Sequence, residues 1–497
     1  MKYGFLIDHD RCIGCHACTV ACKAENAVPV GNFRTWVKYV EKGTFPEVRR
    51  HFAVLRCNHC NNAPCVKICP VNALEKRADG IVDIDRDACI GCRACMQACP
   101  YDAIYLNEDS GAIEKCHFCA HRVEKGLEPA CVIVCPEQAI IAGDIQNPAS
   151  KISTMLIESE TLVRRPEQRT GPNVYYKGVE PANLDPGAPE RPSSYLWSQR
   201  PAHKPEAWPI SLPVLPSTRV VLDAGHRVEW GWTVAMYLVT KAIGAGAGML
   251  APFAAWLGLS GRSAAYLPEI LALVFTALTA GILVEDLARP ARFYRLLTRP
   301  NWGSWLVKGG IVLTVYGLLA SAGIVARLID AGGVADLLRW PLAAFGLATA
   351  GYTAFLFAQC EGRDLWQSKW CLPHLIVQAI MAGGAALTAG AVAGGAAATK
   401  SGIVVVVAAG LHVLIACIER FGGHATSNAR QAAAFLGTLR IGATPSWISS
   451  WTLSLLLVVA GCGVVFAGAW AGLALLLAGL FVYEWTFVRA GQLPPLS

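Results

Sequence analysis

The sequence predicts two halves of different class: an α+β half built around cysteine loops, and an all-α half that crosses a bilayer. Two observations predict this. Sixteen of the 20 cysteines lie between Cys12 and Cys135, in four tight groups. From Trp230 onward, apolar runs recur at about 20 residues, the length that spans a hydrocarbon core. Composition agrees. Of 497 residues, 54% are hydrophobic and 16% charged, too apolar for an ordinary soluble chain. The formal charge of +7 is modest, and no basic stripe interleaves with aromatics, which argues against nucleic acid as a partner.

The first group is Cys12, Cys15, Cys18 and Cys22, spaced C-x2-C-x2-C-x3-C. The second is Cys57, Cys60, Cys65 and Cys69, before Pro70. The third, Cys89, Cys92, Cys95 and Cys99, repeats the first spacing before Pro100, and the fourth is Cys116, Cys119, Cys131 and Cys135, before Pro136. Three closely spaced thiolates grip three corners of an Fe4S4 cube, and a fourth beside a proline ligates a partner cube. Sixteen ligands at four per cube predict four [4Fe–4S] clusters. Structural zinc does not use a third cysteine two residues on, followed by C-x3-C-P. Disulfides need an oxidising compartment, and no signal peptide is read before the motifs. His16, His59, His117 and His121 sit among the motifs. Cysteine already fills every cluster position, so these are expected to be hydrogen-bonding or surface histidines. Cys360, Cys371, Cys417 and Cys462 fall in the apolar half and read as small core residues.

Residues 1–145 read as one domain. Tyr3–Ile7 enters the first motif as a short strand, and Ile81–Ile84 enters the third in the same way. Each C-P ending leads into a short apolar piece such as Ala103-Ile104-Tyr105. This repeat of strand, cluster loop, helix and strand predicts an α+β double ferredoxin-like domain with four [4Fe–4S] clusters. The half resembles the four-cluster electron-transfer subunits that partner molybdopterin oxidoreductases such as polysulfide, dimethyl-sulfoxide and nitrate reductases and formate dehydrogenase. In those subunits the outer motifs pair with each other, as do the inner ones. The resemblance implies one cluster on Cys12, Cys15, Cys18 and Cys135 and the next on Cys116, Cys119, Cys131 and Cys22. It implies a third on Cys89, Cys92, Cys95 and Cys69 and a fourth on Cys57, Cys60, Cys65 and Cys99. It also implies that order for the wire from a molybdenum subunit toward the membrane. Some relatives lack one cysteine of the third motif and carry a three-iron cluster; Cys92 is present here, so four cubes are expected.

Residues 146–225 read as a proline-rich linker, with eleven prolines between 166 and 216. Trp197 and Trp208 suit a linker that is partly docked. Residues 226–497 predict an all-α polytopic membrane domain of eight transmembrane helices, near 230–257, 264–287, 302–328, 336–360, 371–397, 401–419, 447–469 and 471–488. Small-residue faces at 244–248 and 382–385 favour close helix packing. This half resembles the NrfD/PsrC-like polysulfide-reductase membrane anchors. The matching stretches include Trp230-Gly231-Trp232, Asp286-Leu287-Ala288-Arg289-Pro290, Leu297-Thr298-Arg299-Pro300, Gly351-Tyr352-Thr353 and Ala490-Gly491-Gln492. The resemblance implies a quinone, menaquinone or ubiquinone, bound near the iron–sulfur half, and no haem.

Eight spans put both termini on one side. Loops there carry Arg289, Arg292, Arg295, Arg299, Arg363, Lys369, Arg420, Arg430, Arg440 and Arg489, against Arg262, Arg327, Arg339 and Lys400 opposite. The positive-inside rule then places the ferredoxin half in the cytoplasm, at a bacterial or archaeal inner membrane. The competing reading is that these arginines bind the iron–sulfur half and say little about side.

A quinone needs a proton donor or acceptor near each carbonyl, close to the last cluster. His226, Asp286 and Tyr352 are the candidates for that chemistry, and Glu229, Trp232 and Lys308 for holding the ring. Tyr352 matches a family position associated with quinone binding. Asp286 has a second reading as a partner of Arg289 or Arg292, and Lys308 as a snorkelling lysine. Lys241, Glu419 and Glu484 are ionisable residues within apolar runs and suit a proton path, while His374 and His412 lie at similar depth on neighbouring spans. The expected whole is a quinone-reactive electron-transfer subunit in the bilayer. A separate molybdopterin (molybdenum or tungsten) catalytic subunit acting on sulfite, another sulfur compound or formate would dock on it. The alternative is a redox-coupled proton-translocating membrane module.

Overall fold

The computed structural model of the protein describes residues 1–191, 218–395, 399–441, 448–465 and 469–497. Short strands alternate with cysteine loops in the first half. They are β1 (Tyr3–Asp8), β2 (Thr35–Thr44), β3 (Glu47–Arg56), β4 (Leu74–Lys76), β5 (Val82–Ile84), β6 (Ile104–Asn107), β7 (Ala112–Lys115), β8 (Ile140–Asp144), β9 (Val174–Lys177) and β10 (Thr218–Leu222). One sheet has the order β8-β1-β9 and another β10-β2-β3, while β4-β5 and β6-β7 are two-stranded hairpins. The hairpins follow the C-P endings of the second and third motifs, as the repeat predicts. Strand alternation sets the core: Phe5 and Ile7 point into the main core and Leu6 to the other face, against Ile141 and Ile152.

The segment read as a linker is partly built into this domain. β9 runs parallel to β1, with Phe5 opposite Val174 and Ile7 opposite Tyr176. β10 runs antiparallel to β2. Val174 and Tyr176 are fully buried. Strands of four and five residues have too short a pattern to stand out among prolines, and only their partners define them. Trp197 and Trp208 lie outside the described residues.

The second half is helical: α1 (Trp232–Leu250), α2 (Gly261–Glu285), α3 (Trp305–Leu328), α4 (Gly332–Gln359), α5 (Cys371–Ala393), α6 (Thr399–Phe421), α7 (Ser450–Val465) and α8 (Ala469–Gln492). Among the described residues, 7 helices are long and apolar enough to cross a bilayer: α1 to α6 and α8. The sequence predicted eight spans; α7 is a shorter apolar helix of 16 residues, bordering residues 466–468 outside the described set. α1 is the inner helix, with 83% of its apolar window buried against 28% for α2 and for α3. Its small residues make this possible. A Cβ on Gly246 would lie 1.7 Å from the Ala379 carbonyl oxygen, so α1 and α5 meet backbone to backbone. Arg339 of α4 pairs with Glu269 of α2 at 2.6 Å, both nearly inaccessible. Removing one partner of such a pair costs about 3–5 kcal/mol.

The two halves join through the segment between α2 and α3. The Ala288 and Arg289 amides donate to the Gly91 and Ile90 carbonyls. Gly91 has φ 72, and a Cβ there would meet the Ala288 Cβ at 2.6 Å, so only glycine suits this contact. Arg289 donates to the carbonyls of Ser110 and Arg86 at 2.6 Å each, Arg292 to that of Asp87 at 2.5 Å, and Arg299 to the Asp85 carboxylate at 3.2 Å. These arginines therefore have a docking role besides any topological one.

Candidate functional site

The thiols gather as four quartets, each drawn from two motifs. Cys22, Cys116, Cys119 and Cys131 line one cavity. Cys69, Cys89, Cys92 and Cys95 line another. Cys12 lies within electrostatic reach of Cys15, Cys18 and Cys135. Cys57, Cys60, Cys65 and Cys99 lie within reach of one another. All 20 cysteines are free thiols. Among the described residues no three His, Cys, Asp or Glu side chains converge closely enough to hold a single metal ion. Thiols ringed around such cavities fit the corners of a cubane, whose own sulfides keep the ligands apart. Burial pushes the bare Cys18 and Cys22 thiols up to about 12. Iron that takes them as thiolates must displace their protons.

Adjacent quartets follow one order. Cys18 is within reach of Cys131, Cys116 of Cys57, and Cys65 of Cys95. The run is Cys12/15/18/135, Cys22/116/119/131, Cys57/60/65/99, then Cys69/89/92/95. The resemblance implied the last two in the opposite order. In the structure they run the other way: Cys92 of the third motif lines the cavity among the membrane helices, while Cys99 approaches the membrane half at Gly362 and Arg363. Cys15, at the other end, is exposed.

Arg56 stands between the first two quartets. It is fully buried, its Nη1 donates to Cys131 Sγ at 3.2 Å, and its guanidinium lies 4.3 Å from the Phe5 ring centroid. Its Nε and Nη2 have no partner among the described residues, and Cys18 and Cys116 are within its reach. Two of the four motif histidines, His59 and His121, behave as hydrogen-bonding groups. His59 Nδ1 accepts from the Val82 amide at 3.1 Å, and exposed His121 pairs with Glu25 at 2.7 Å. Burial, with Lys115 and Lys76 nearby, holds the His59 ring well below its usual range and so neutral.

An apolar cavity of about 400 Å³ lies where the last quartet meets α1 to α4. Cys92, Trp230, Tyr237, Asp286 and Tyr352 line it together with aliphatic side chains. The Asp286 carboxylate accepts from Thr233 Oγ1 at 2.5 Å and faces Arg93 at 3.4 Å. Arg93 also donates to the Asp286 backbone carbonyl. Asp286 is thus paired with Arg93 of the third cysteine motif, not with Arg289 or Arg292. Few polar groups converging on a mostly apolar cavity is the usual make-up of a small-molecule site.

The other sequence-predicted residues lie elsewhere. His226 pairs with Asp102 at 2.6 Å and with the Gln492 carbonyl at 2.5 Å, pinning the end of α8 to the ferredoxin half. Burial acts to raise the Asp102 carboxyl, but His226 and Arg363 outweigh it and hold it at about 2. Glu229 borders a separate polar cavity with Asn32, Trp36 and Asp102, 4.0 Å from Arg93. Trp232 is 58% exposed. Lys308 lies over the Trp305 ring, 4.8 Å from its centroid. The docking of the segment before α1 explains the misses there: Trp230 donates to the Cys92 carbonyl at 3.5 Å, whereas Trp232, two residues on, is exposed. Sequence reasoning also missed Tyr237, Arg93 and Gln492. The Gln492 amide accepts from the Glu229 and Trp230 amides and donates to the Trp230 carbonyl. The Trp-Gly-Trp and closing Gly-Gln stretches hinted at this contact without revealing that they meet.

The fold and the site define an iron–sulfur membrane subunit. Residues 3–24 match a 4Fe-4S binding domain, 48–145 a 4Fe-4S dicluster domain and 220–492 the polysulphide reductase NrfD family. The protein belongs to the NrfD polysulphide reductase family, with 4Fe-4S ferredoxin domains fused ahead of a multi-pass membrane domain. The ferredoxin half is similar to a tetrathionate reductase subunit of Salmonella typhimurium, 47% identical over 189 residues, 37% of this chain and 76% of the relative. It is also similar to the thiosulfate reductase electron transfer subunit PhsB of Salmonella typhi, 42% identical over 182 residues (36% and 93%). A polysulfide reductase component of Wolinella succinogenes is 41% identical over 173 residues (34% and 90%).

Proposed function

We propose that the chain passes electrons between a molybdopterin-type catalytic subunit, docked on the ferredoxin half, and the membrane quinone pool. The observation that carries this is the shared border of one apolar cavity by Cys92, Asp286 and Tyr352. A thiol of the last quartet and two ionisable side chains meet there, as quinone chemistry at the end of an electron wire requires. Each quartet would hold one [4Fe–4S] cluster, sixteen cysteines for four cubes. The cavity would hold menaquinone or ubiquinone. The relatives' names specify tetrathionate, thiosulfate and polysulfide reductases, so a sulfur compound is the partner's substrate class. The partner's place is the exposed end: Cys15 is open there, and Ile13, Val20, Ile133 and Val134, beside the outer cysteines in sequence, are exposed. α7 serves as the eighth span, and the ferredoxin half faces the cytoplasm, a reading that the arginine excess on its side supports.

The full chain, purified with its clusters, tests this reading. It should contain about sixteen iron atoms, four per cubane. Menadiol should reduce the clusters, and 2-heptyl-4-hydroxyquinoline N-oxide should block that reduction. About eight iron atoms would remove the four-cluster assignment, and clusters indifferent to menadiol would remove the quinone role.

A further inference from the structure

Behind the wall made by α1 and α4, a second set of ionisable side chains is enclosed by α1, α5, α6 and α8. Lys241 of α1 lies against α4 at that wall. Its Nζ donates to Thr353 Oγ1 at 2.6 Å and lies 5.1 Å from the ring centroid of Tyr352, which lines the cavity. Glu484 is within reach of Lys241 and bonded to the Gln378 side chain. Beyond it, His374 Nδ1 pairs with Glu419 at 2.8 Å, and His374 Nε2 pairs with His412 Nδ1 at 2.8 Å. Tyr483 donates to the same Glu419 oxygen at 2.5 Å. Lys241, His374, His412, Glu419 and Glu484 are all 3% exposed or less.

Ionisable groups at this depth are costly and persist where they are paired or used. A purely structural network would close on itself. Here His412 Nε2 and Glu419 Oε1 have no partner among the described residues, while the other end touches the wall of the cavity. His374 bonds both Glu419 and His412, and Glu484 lies within electrostatic reach of Lys241 and His374, so one proton can be held in several places along the row.

We infer that this row, from Lys241 through Glu484 to the His374–Glu419 pair, stores the proton exchanged with a quinone in the cavity. The inference rests on the quinone reading above. A quinone becomes a quinol by taking two electrons and two protons. The two electrons would be supplied one at a time by the cluster that Cys69, Cys89, Cys92 and Cys95 would hold. One proton comes from Lys241, which is refilled from Glu484 and the His374–Glu419 pair; the other comes through Asp286. Quinol oxidation runs the same transfers backward, with two electrons to the clusters and two protons to these groups.

The test uses the full cluster-loaded chain in detergent, menadiol as reductant and 2-heptyl-4-hydroxyquinoline N-oxide as binding probe. Glu484→Gln and Lys241→Met should each slow cluster reduction at least tenfold with unchanged probe affinity, and Glu484→Asp should recover most of the rate. Redox-difference infrared spectra of the wild-type chain should contain a protonated-carboxyl band that Glu484→Gln removes. Wild-type rates in both variants would overturn the proton store. So would a wild-type spectrum without a carboxyl change, which decides the matter even if a variant fails to assemble. A wild-type chain that does not bind the probe would instead overturn the quinone reading, and the store with it.

Discussion

Asp286→Asn should cut menadiol-driven cluster reduction about 100-fold while leaving the cluster spectra intact. Asparagine keeps the size of the side chain and an oxygen to accept from Thr233, which now donates at 2.5 Å. It loses the group that takes or gives a proton, and it leaves Arg93 beside the last quartet with Glu229, at 4.0 Å, as its remaining counter-charge. Rapid mixing with menadiol, followed at the cluster absorbance, reads the effect. A rate within twofold of wild type would remove Asp286 from the reaction. His226→Ala is the contrasting variant. His226 holds Asp102 and the Gln492 carbonyl, not the cavity, so its loss should loosen the C-terminal contact and spare the quinol step.

Arg56→Gln should lower the midpoint potential of the cluster on Cys22, Cys116, Cys119 and Cys131. Reduction adds negative charge to the cluster, and a fixed cation nearby favours the reduced form. Removing the cation therefore moves the potential downward. A unit charge about 7 Å away at an effective dielectric near 20 is worth about 2 kcal/mol, on the order of 100 mV for one electron. Arg56 is fully buried and donates to Cys131 Sγ, so solvent does little to screen it. Arg56→Lys keeps the charge and should retain most of the potential. A redox titration monitored by paramagnetic resonance separates the two, and an unmoved potential in the glutamine variant would leave Arg56 a packing residue only.

The sequence by itself determined the class of each half. Cysteine spacing is a local property, because a cubane accepts three ligands from one short loop, and C-x2-C-x2-C-x3-C followed by proline says so without any fold. Apolar runs of bilayer length are local as well, because the bilayer sets the length and needs no partner segment. α7 is where that rule gave least, being 16 residues within the described set. Family resemblance supplied the mixing of motifs within quartets, and it implied an order for the last two that the geometry reverses.

Tertiary structure alone decided which side chains meet. Asp286 and Tyr352 were legible as cavity residues, since both are polar groups in apolar stretches. His226, Glu229, Trp232 and Lys308 carry suitable chemistry near the same ends, but helix phase and the docking of the ferredoxin half turn them elsewhere. Trp230 and Arg93 enter the site for the same reason. β9 and β10 were hidden among prolines, because a strand of four or five residues is defined by its hydrogen-bonded neighbours. The row from Lys241 to His412 comes from four helices spread along the chain. The sequence grouped Lys241, Glu419 and Glu484 as suiting a proton path and set His374 beside His412 by depth, but only packing around α1 joined the two groups, since in hydrocarbon each polar group must find its partner within the protein.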